Sequence, residues 1–387
     1  MSKMIKLLKN ADLYSPAHIG KRDILICGDK IAKIAPEINT CGFDEIEVID
    51  LCDAITAPGF VDTHIHITGG GGEQGPASRV PEAQISQLMR YGVTTCVGLL
   101  GTDGVTRSLP NLLAKCKALN EEGMTCYMIT GSYRYPTATI TGDVVKDICF
   151  IDECIGAKLA ISDHRSSAIT GDEFVRLATE VRSGGLLSGK AGVLHMHTGT
   201  GAQMLEHILY AVENTDIPIK TFYPTHLARS NEMMDQAARL AQKGCMVDFT
   251  ANDPTSSSKP AAESIAYCIN AGAPAENVTM SSDSFGSQPR FDADGNCIGL
   301  TYTLPDILLK TVKDGIAKGL FDLSTALSFV TRNPAKAIGL EHKKGCIEEG
   351  ADADMVILTR DLDISAVIAK GKTAYAEGKC IIKGRFE

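Results

Sequence analysis

From residue 59 to residue 281 the chain alternates two patterns. Short apolar runs at 59–62, 94–100, 125–130, 157–161, 193–197, 221–224, 246–249 and 278–281 have the length of buried strands. Between them, apolar residues recur at three- and four-residue spacing, as at 109–119, 173–182, 204–212, 233–243 and 262–270, which predicts helices. Eight such units predict an α/β fold of the (β/α)8, TIM-like barrel type. A doubly wound open sheet shares the alternation. The barrel is favoured because polar residues recur at the C-terminal ends of many different strands, where barrels assemble their sites.

The two ends read differently. Residues 24–27 and 30–34 flank Gly28-Asp29 and predict a hairpin. Runs at 355–358, 365–368 and 380–382 predict further short strands. Chain termini usually lie close together at a surface. Residues 1–57 and 345–387 are therefore expected to form one small β-sandwich domain, and 58–344 the barrel.

Candidate chemistry begins at Ala57-Pro58-Gly59-Phe60-Val61-Asp62-Thr63-His64-Ile65-His66. On a strand, positions two apart share a face, so His64 and His66 project together, as two ligands of one metal must. Later strands carry Lys158, inside Gly156-Ala157-Lys158-Leu159, then His197, His226 and Asp283. Taken singly, each has a plainer reading: a hydrogen-bonded structural histidine, a helix cap, a lysine that snorkels to the surface. On matching ends of a repeated unit they read as a metal site. An ammonium cannot bind a cation, but a lysine carboxylated by carbon dioxide becomes an anionic carbamate with two oxygens, able to bridge two metals. His195 shares the face of His197 and sits deeper, where packing in the core is its expected role. His18, His207 and His342 lie outside the constellation. Gly69 to Gly72 are not followed by Gly-Lys-Ser/Thr, which excludes a phosphate-binding loop of that kind.

Composition narrows the class further. The 387 residues carry a formal net charge of -9, which argues against nucleic acid or an anionic membrane as partner. Thirteen cysteines, with no Cys-x-x-Cys pair, read as reduced core thiols rather than a disulfide framework. The N-terminus, Met1-Ser2-Lys3-Met4-Ile5-Lys6, lacks the apolar stretch of a signal peptide, and no segment is long and apolar enough to span a bilayer. A cytoplasmic location is expected.

His64-x-His66, Lys158, His197, His226 and Asp283 resemble the binuclear amidohydrolase superfamily. So do Asn333-Pro334-Ala335-Lys336 and the run from Gly345 to Asp354. More narrowly, the chain is similar to the isoaspartyl dipeptidases (β-aspartyl peptidases). That likeness rests on Gly69 to Glu73, Gly98 to Asp103, Thr130 to Tyr133, Ile161 to Ser166, and Ser282-Asp283 with Gly286 to Pro289. It implies two Zn²⁺ ions per subunit, one held by His64 and His66, the other by His197 and His226. Carboxylated Lys158 would bridge them. Asp283 would touch the first metal and serve as general base and then acid, with a metal-bridging hydroxide attacking the peptide carbonyl. Tyr133 would stabilise the oxyanion.

The implied substrate is an isoaspartyl dipeptide, with one ammonium and two carboxylates. Glu73, behind flexible glycines, suits the ammonium. Arg165 and Arg229 suit the carboxylates, and Thr102 and Ser287 add neutral hydrogen bonds. The resemblance also implies a homo-oligomer, commonly an octamer. Two other readings stand beside it. One is a cyclic-amide hydrolase, dihydroorotase-like or hydantoinase-like, on the same metal core. The other is a non-catalytic relative that keeps the barrel for binding or assembly.

Overall fold

A computed structural model describes residues 5–42, 45–251, 260–292 and 297–387. Met1 to Met4, on which the reading of the N-terminus partly rests, lie outside the described residues. Strands Phe60–Ile65, Val93–Gly98, Thr125–Gly131, Cys154–Ile161, Val193–Thr198 and Phe222–Thr225 form one parallel sheet in chain order. Val247–Thr250 and Val278–Ser281 pair in parallel beside it. Thr225 Oγ1 donates to Asp248 at 2.5 Å, linking the sixth strand to the seventh. The eighth returns to the first: the Asp283 N–H donates to the His64 carbonyl and the His66 N–H to the Ser284 carbonyl, each at 3.0 Å. Eight parallel strands thus run round a TIM-like barrel. Its apolar runs are continuous because almost every strand residue is buried on whichever face it points to.

The helices form where one face can be buried and the start can be capped. Gly171–Ser188 buries Phe174, Leu177, Ala178 and Val181, and Thr170 with Glu173 makes a reciprocal capping box. The Ser108 and Ser230 hydroxyls cap Leu109–Glu122 and Asn231–Gln242 one way, accepting from the N–H groups of Asn111 and Met233, each cap contributing about 1 kcal/mol. Three helices that the periodicity did not single out, Asp306–Ala317, Leu323–Ser328 and Arg332–Ala337, follow the eighth strand.

Both chain ends contribute to one nine-stranded sheet. Ile5–Tyr14 is its centre, antiparallel to His18–Cys27, and the expected hairpin continues into Lys30–Ala35 across Gly28 at φ +62°. On its other edge the first strand branches, its start pairing with Ile46–Asp50 and its end with Ile55–Pro58. Ile55–Pro58 then pairs with Met355–Leu358, which joins the C-terminal strands to the N-terminal ones. Leu7 and Leu8 enter different apolar clusters, so this sheet is covered on both faces. The last expected strand is shorter than its apolar run. Lys379–Cys380 pair, but the N–H groups of Ile381 and Ile382 both turn back to the Ala374 carbonyl. Lys344 ties the sheet to the barrel: its buried ammonium reaches Asp354 at 2.6 Å and Thr125 at 2.7 Å.

The cysteines whose side chains are described are free thiols, as expected, but not all are core residues. Cys27, Cys41 and Cys52 lie exposed on the terminal sheet and its loops. Among the described residues no helix is long and apolar enough to cross a membrane.

Candidate active site

The C-terminal ends of the barrel strands open into a cleft of about 480 Å³. His66, His197, His226 and Asp283 line its floor, and Glu73, Thr102, Tyr133, Arg165, Arg229 and Ser287 line its walls. Ten of the candidate site residues thus line this one cleft, and His64, with Lys158 against it, is buried beside His226 and Asp283. Such a volume suits a small ligand.

Strand alternation delivers the first pair as expected. The His64 and His66 rings are 5.5 Å apart, and the His64 ring is 4.9 Å from that of His226. His226 in turn lies 4.6 Å from His197. His226 and Asp283 both take a left-handed backbone, at φ +66° and +50°, just after their strands end. That conformation is uncommon for residues other than glycine and turns both side chains back over the barrel mouth. Asp283 Oδ1 lies 3.1 Å from His66 Nε2 and 3.5 Å from His64 Nε2. One nitrogen each from His64 and His226 and one oxygen of Asp283 lie within 4.8 Å of one another, a spacing that a metal ion could fill.

Lys158 does not snorkel. It is fully buried in mid-strand, with its Nζ 3.4 Å from both ring nitrogens of His64. Removal from water favours the uncharged amine, lowering its pKa from 10.5 to about 7. Burial likewise holds His64, His195 and His226 well below the usual histidine range, and His197 at about 4, so the imidazoles are neutral and keep a lone pair. The Nδ1 of His66 has no hydrogen-bond partner among the described residues. Neutral imidazoles, a carboxylate and a buried amine shifted toward its uncharged form are a donor set that fits divalent metal.

His195 is not merely core packing. Its Nε2 sits 2.9 Å from His64 Nδ1 and its Nδ1 2.9 Å from the Tyr223 carbonyl.

The walls are wired together. Ser287 donates to Glu73 at 2.8 Å, Glu73 faces Arg165 at 3.8 Å, and Arg165 reaches Thr102 at 3.4 Å. Arg229 stands at the mouth without a hydrogen bond or ion pair to the described residues. Tyr133 donates to His197 Nδ1 at 2.7 Å; burial pushes its phenol well above the usual range, so it remains a donor.

The four glycines before Glu73 are packed rather than flexible. Gly69, at φ +75°, would place a Cβ 2.0 Å from the Val80 carbonyl oxygen, so a side chain there is excluded. Arg107 donates to the carbonyls of Thr68, Gly70 and Val80 and clamps the turn. Glu73 is thus presented from a fixed loop.

The amidohydrolase family profile matches residues 55–374. The chain belongs to the amidohydrolase family. This amidohydrolase is a metal-dependent hydrolase by that membership, and its sequence resemblance to the isoaspartyl dipeptidases is borne out. A crystal structure of the beta-aspartyl dipeptidase of Fervidobacterium islandicum AW-1, in complex with beta-Asp-Leu dipeptide, is 41% identical. It superposes with a TM-score of 0.92 and 98% of each chain covered. A second structure of that protein gives 39% and 0.88, over 97% of this chain and 98% of the other. The dihydroorotase of Elusimicrobium minutum (strain Pei191) is 24% identical over 416 aligned positions, 94% of this chain and 90% of that one. L-Hydantoinase from Arthrobacter aurescens, at 16% identity and a TM-score of 0.66, shares the fold.

Sequence reasoning gave no role to three acids of this amidohydrolase. Asp163 accepts from His197 Nε2 at 2.8 Å and takes two bonds from Arg165, each at 2.9 Å. Burial opposes its ionisation, but those partners outweigh burial and hold its carboxyl well below the usual range. Asp62 and Asp248 form a buried layer under the histidines. Asp62 accepts from the backbone and hydroxyl of Ser282, and Asp248 from Thr225, Thr279 and Ser281. Burial raises them to about 7 and about 6. The signal for Asp62 was present: it shares the strand face of His64 and His66.

Proposed function

We propose that the chain is a binuclear zinc dipeptidase that hydrolyses the β-aspartyl peptide bond of isoAsp-X dipeptides. One observation carries the reading. A carboxylate, Glu73, and two guanidiniums, Arg165 and Arg229, ring a cleft whose floor is the histidine cluster. That pattern complements one ammonium and two carboxylates, the charges of an isoaspartyl dipeptide. Similarity to a dipeptidase crystallised with beta-Asp-Leu supports the same substrate.

His64 and His66 would hold one zinc ion and His197 and His226 the other, with Asp283 on the first. Uncharged Lys158 would add to carbon dioxide, its nitrogen forming the N–C bond and losing a proton, to give the bridging carbamate. Zinc so held supplies Lewis acidity, lowering the pKa of water and polarising the scissile carbonyl. Asp283, within 3.1 Å of His66 and facing the cleft, takes the proton of the attacking water and passes it to the leaving amine. Tyr133 turns its O–H from His197 to the oxygen on which charge develops. Glu73, held by Ser287, receives the α-ammonium. Arg165 and Arg229 orient the carboxylates, and Thr102 steadies the Arg165 fork.

We place this reaction in a barrel of residues 58–344, flanked by a small β domain of residues 1–57 with 345–387. A homo-oligomer, octameric by resemblance, and a cytoplasmic location complete the reading.

The experiment is direct: zinc-loaded protein mixed with isoAsp-Leu should release aspartate and leucine, and no release would refute the substrate assignment. A cyclic-amide hydrolase is the second reading, favoured by the full-length similarity to a dihydroorotase. A cyclic amide lacks an ammonium and leaves Glu73 without a partner, so turnover indifferent to Glu73→Gln would favour it.

A further inference from the structure

Carbonyl oxygens only accept hydrogen bonds, and this fixes the protons along a buried chain. His195 Nδ1, 2.9 Å from the Tyr223 carbonyl, must carry its proton. In a neutral ring the other nitrogen, Nε2, is then bare and accepts. Its partner at 2.9 Å is His64 Nδ1, which must be the donor. His64 Nε2 is left bare, and that is the atom facing Asp283 Oδ1 at 3.5 Å.

We infer that His195 is a positioning residue that sets the tautomer and ring orientation of His64, so that Nε2 is presented to metal. The anchor is rigid. Tyr223 is almost wholly buried, and its hydroxyl is fixed by Thr63 and Thr279, each at 2.8 Å. A cationic His195 would need an acceptor at His64 Nδ1 and would move the His64 proton to Nε2, closing the ligand position. His195 is buried, and among the described residues its two ring nitrogens face only the Tyr223 carbonyl and His64, so no carboxylate beside it supports a second proton. Outer partners of metal-bound histidines act in this way, and their loss weakens metal binding about 10–100-fold. The inference rests on the reading of His64 as a ligand, but it makes a claim about protons that can be tested without metal.

Neutron diffraction from crystals of the metal-free protein should show hydrogen on Nδ1 of both His195 and His64. Hydrogen on His64 Nε2 would overturn the inference, whatever the protein binds. In parallel, zinc affinity measured by competition with a chelator should fall about 10–100-fold in His195→Leu. In His195→Gln it should remain within about threefold of wild type, because the amide oxygen can accept where Nε2 did. Unchanged affinity in folded His195→Leu, or equal losses in both variants, would contradict the assignment. Absence of zinc binding by the wild type would instead refute the metal reading, leaving the proton positions to decide this one.

Discussion

Asp163 Oδ2 lies 2.8 Å from His197 Nε2, while the other nitrogen of that ring receives the Tyr133 hydroxyl at 2.7 Å. A carboxylate accepts, so Nε2 carries the proton and Nδ1 offers its lone pair, at present to Tyr133. The same carboxylate grips Arg165 through two bonds and, with burial working against it, keeps that guanidinium above its ordinary pKa. Asp163→Ala therefore removes a support from both His197, proposed to hold metal, and Arg165, proposed to read a substrate carboxylate. Activity should fall by about 10–100-fold or more, with KM raised and zinc content reduced together. A change in KM alone, at full zinc content, would show that only the arginine depends on Asp163.

Tyr133→Phe should lower kcat on isoAsp-Leu about 10²–10³-fold with KM little changed, because the hydroxyl is needed where charge develops and not for ground-state binding. Steady-state kinetics at saturating zinc checks this, and an unchanged kcat would remove Tyr133 from the chemistry.

Glu73→Gln keeps the hydrogen bond to Ser287 but loses the charge proposed to face the substrate ammonium. A loss of about 2–3 kcal/mol in kcat/KM, roughly 10²-fold, is expected for isoAsp-Leu. A peptide analogue lacking the amino group should be hydrolysed equally by variant and wild type. Equal losses for both substrates would mean that Glu73 acts through the loop rather than through charge.

Much of this was legible in the sequence, for identifiable reasons. Period-two alternation put His64 and His66 on one face, and the repeated strand–helix pattern implied that distant strand ends would meet. What stayed hidden depends on pairings between strands. His195 meets His64 across 131 residues, and neither spacing nor composition announces that contact. Asp163 lies in the run from Ile161 to Ser166, yet its role comes from the strand that carries His197. The glycines before Glu73 suggested freedom, because composition does not reveal that Arg107 and the carbonyls around it fix the turn.

Lys158 gives a pH signature. Burial lowers its pKa from 10.5 to about 7, so between these values the unfolded chain binds a proton that the folded chain does not. Metal-free, uncarboxylated protein should therefore gain stability as pH rises through that window, and the unfavourable burial of the charge is fully felt below pH about 7. Urea melts of the wild type and Lys158→Met across the window check the sign. The variant should lack this contribution, and a wild-type stability that fell relative to the variant as pH rose through the window would contradict the assignment.

The most direct measurement is anomalous scattering at the zinc edge from crystals grown with an isoaspartyl dipeptide analogue. Two zinc peaks are expected at the floor of the cleft, with His64 and His66 on one, His197 and His226 on the other, and density for a carbamate on Lys158 between them. A single peak, peaks elsewhere, or an unmodified Lys158 distant from both would contradict a paired-metal centre built from these side chains.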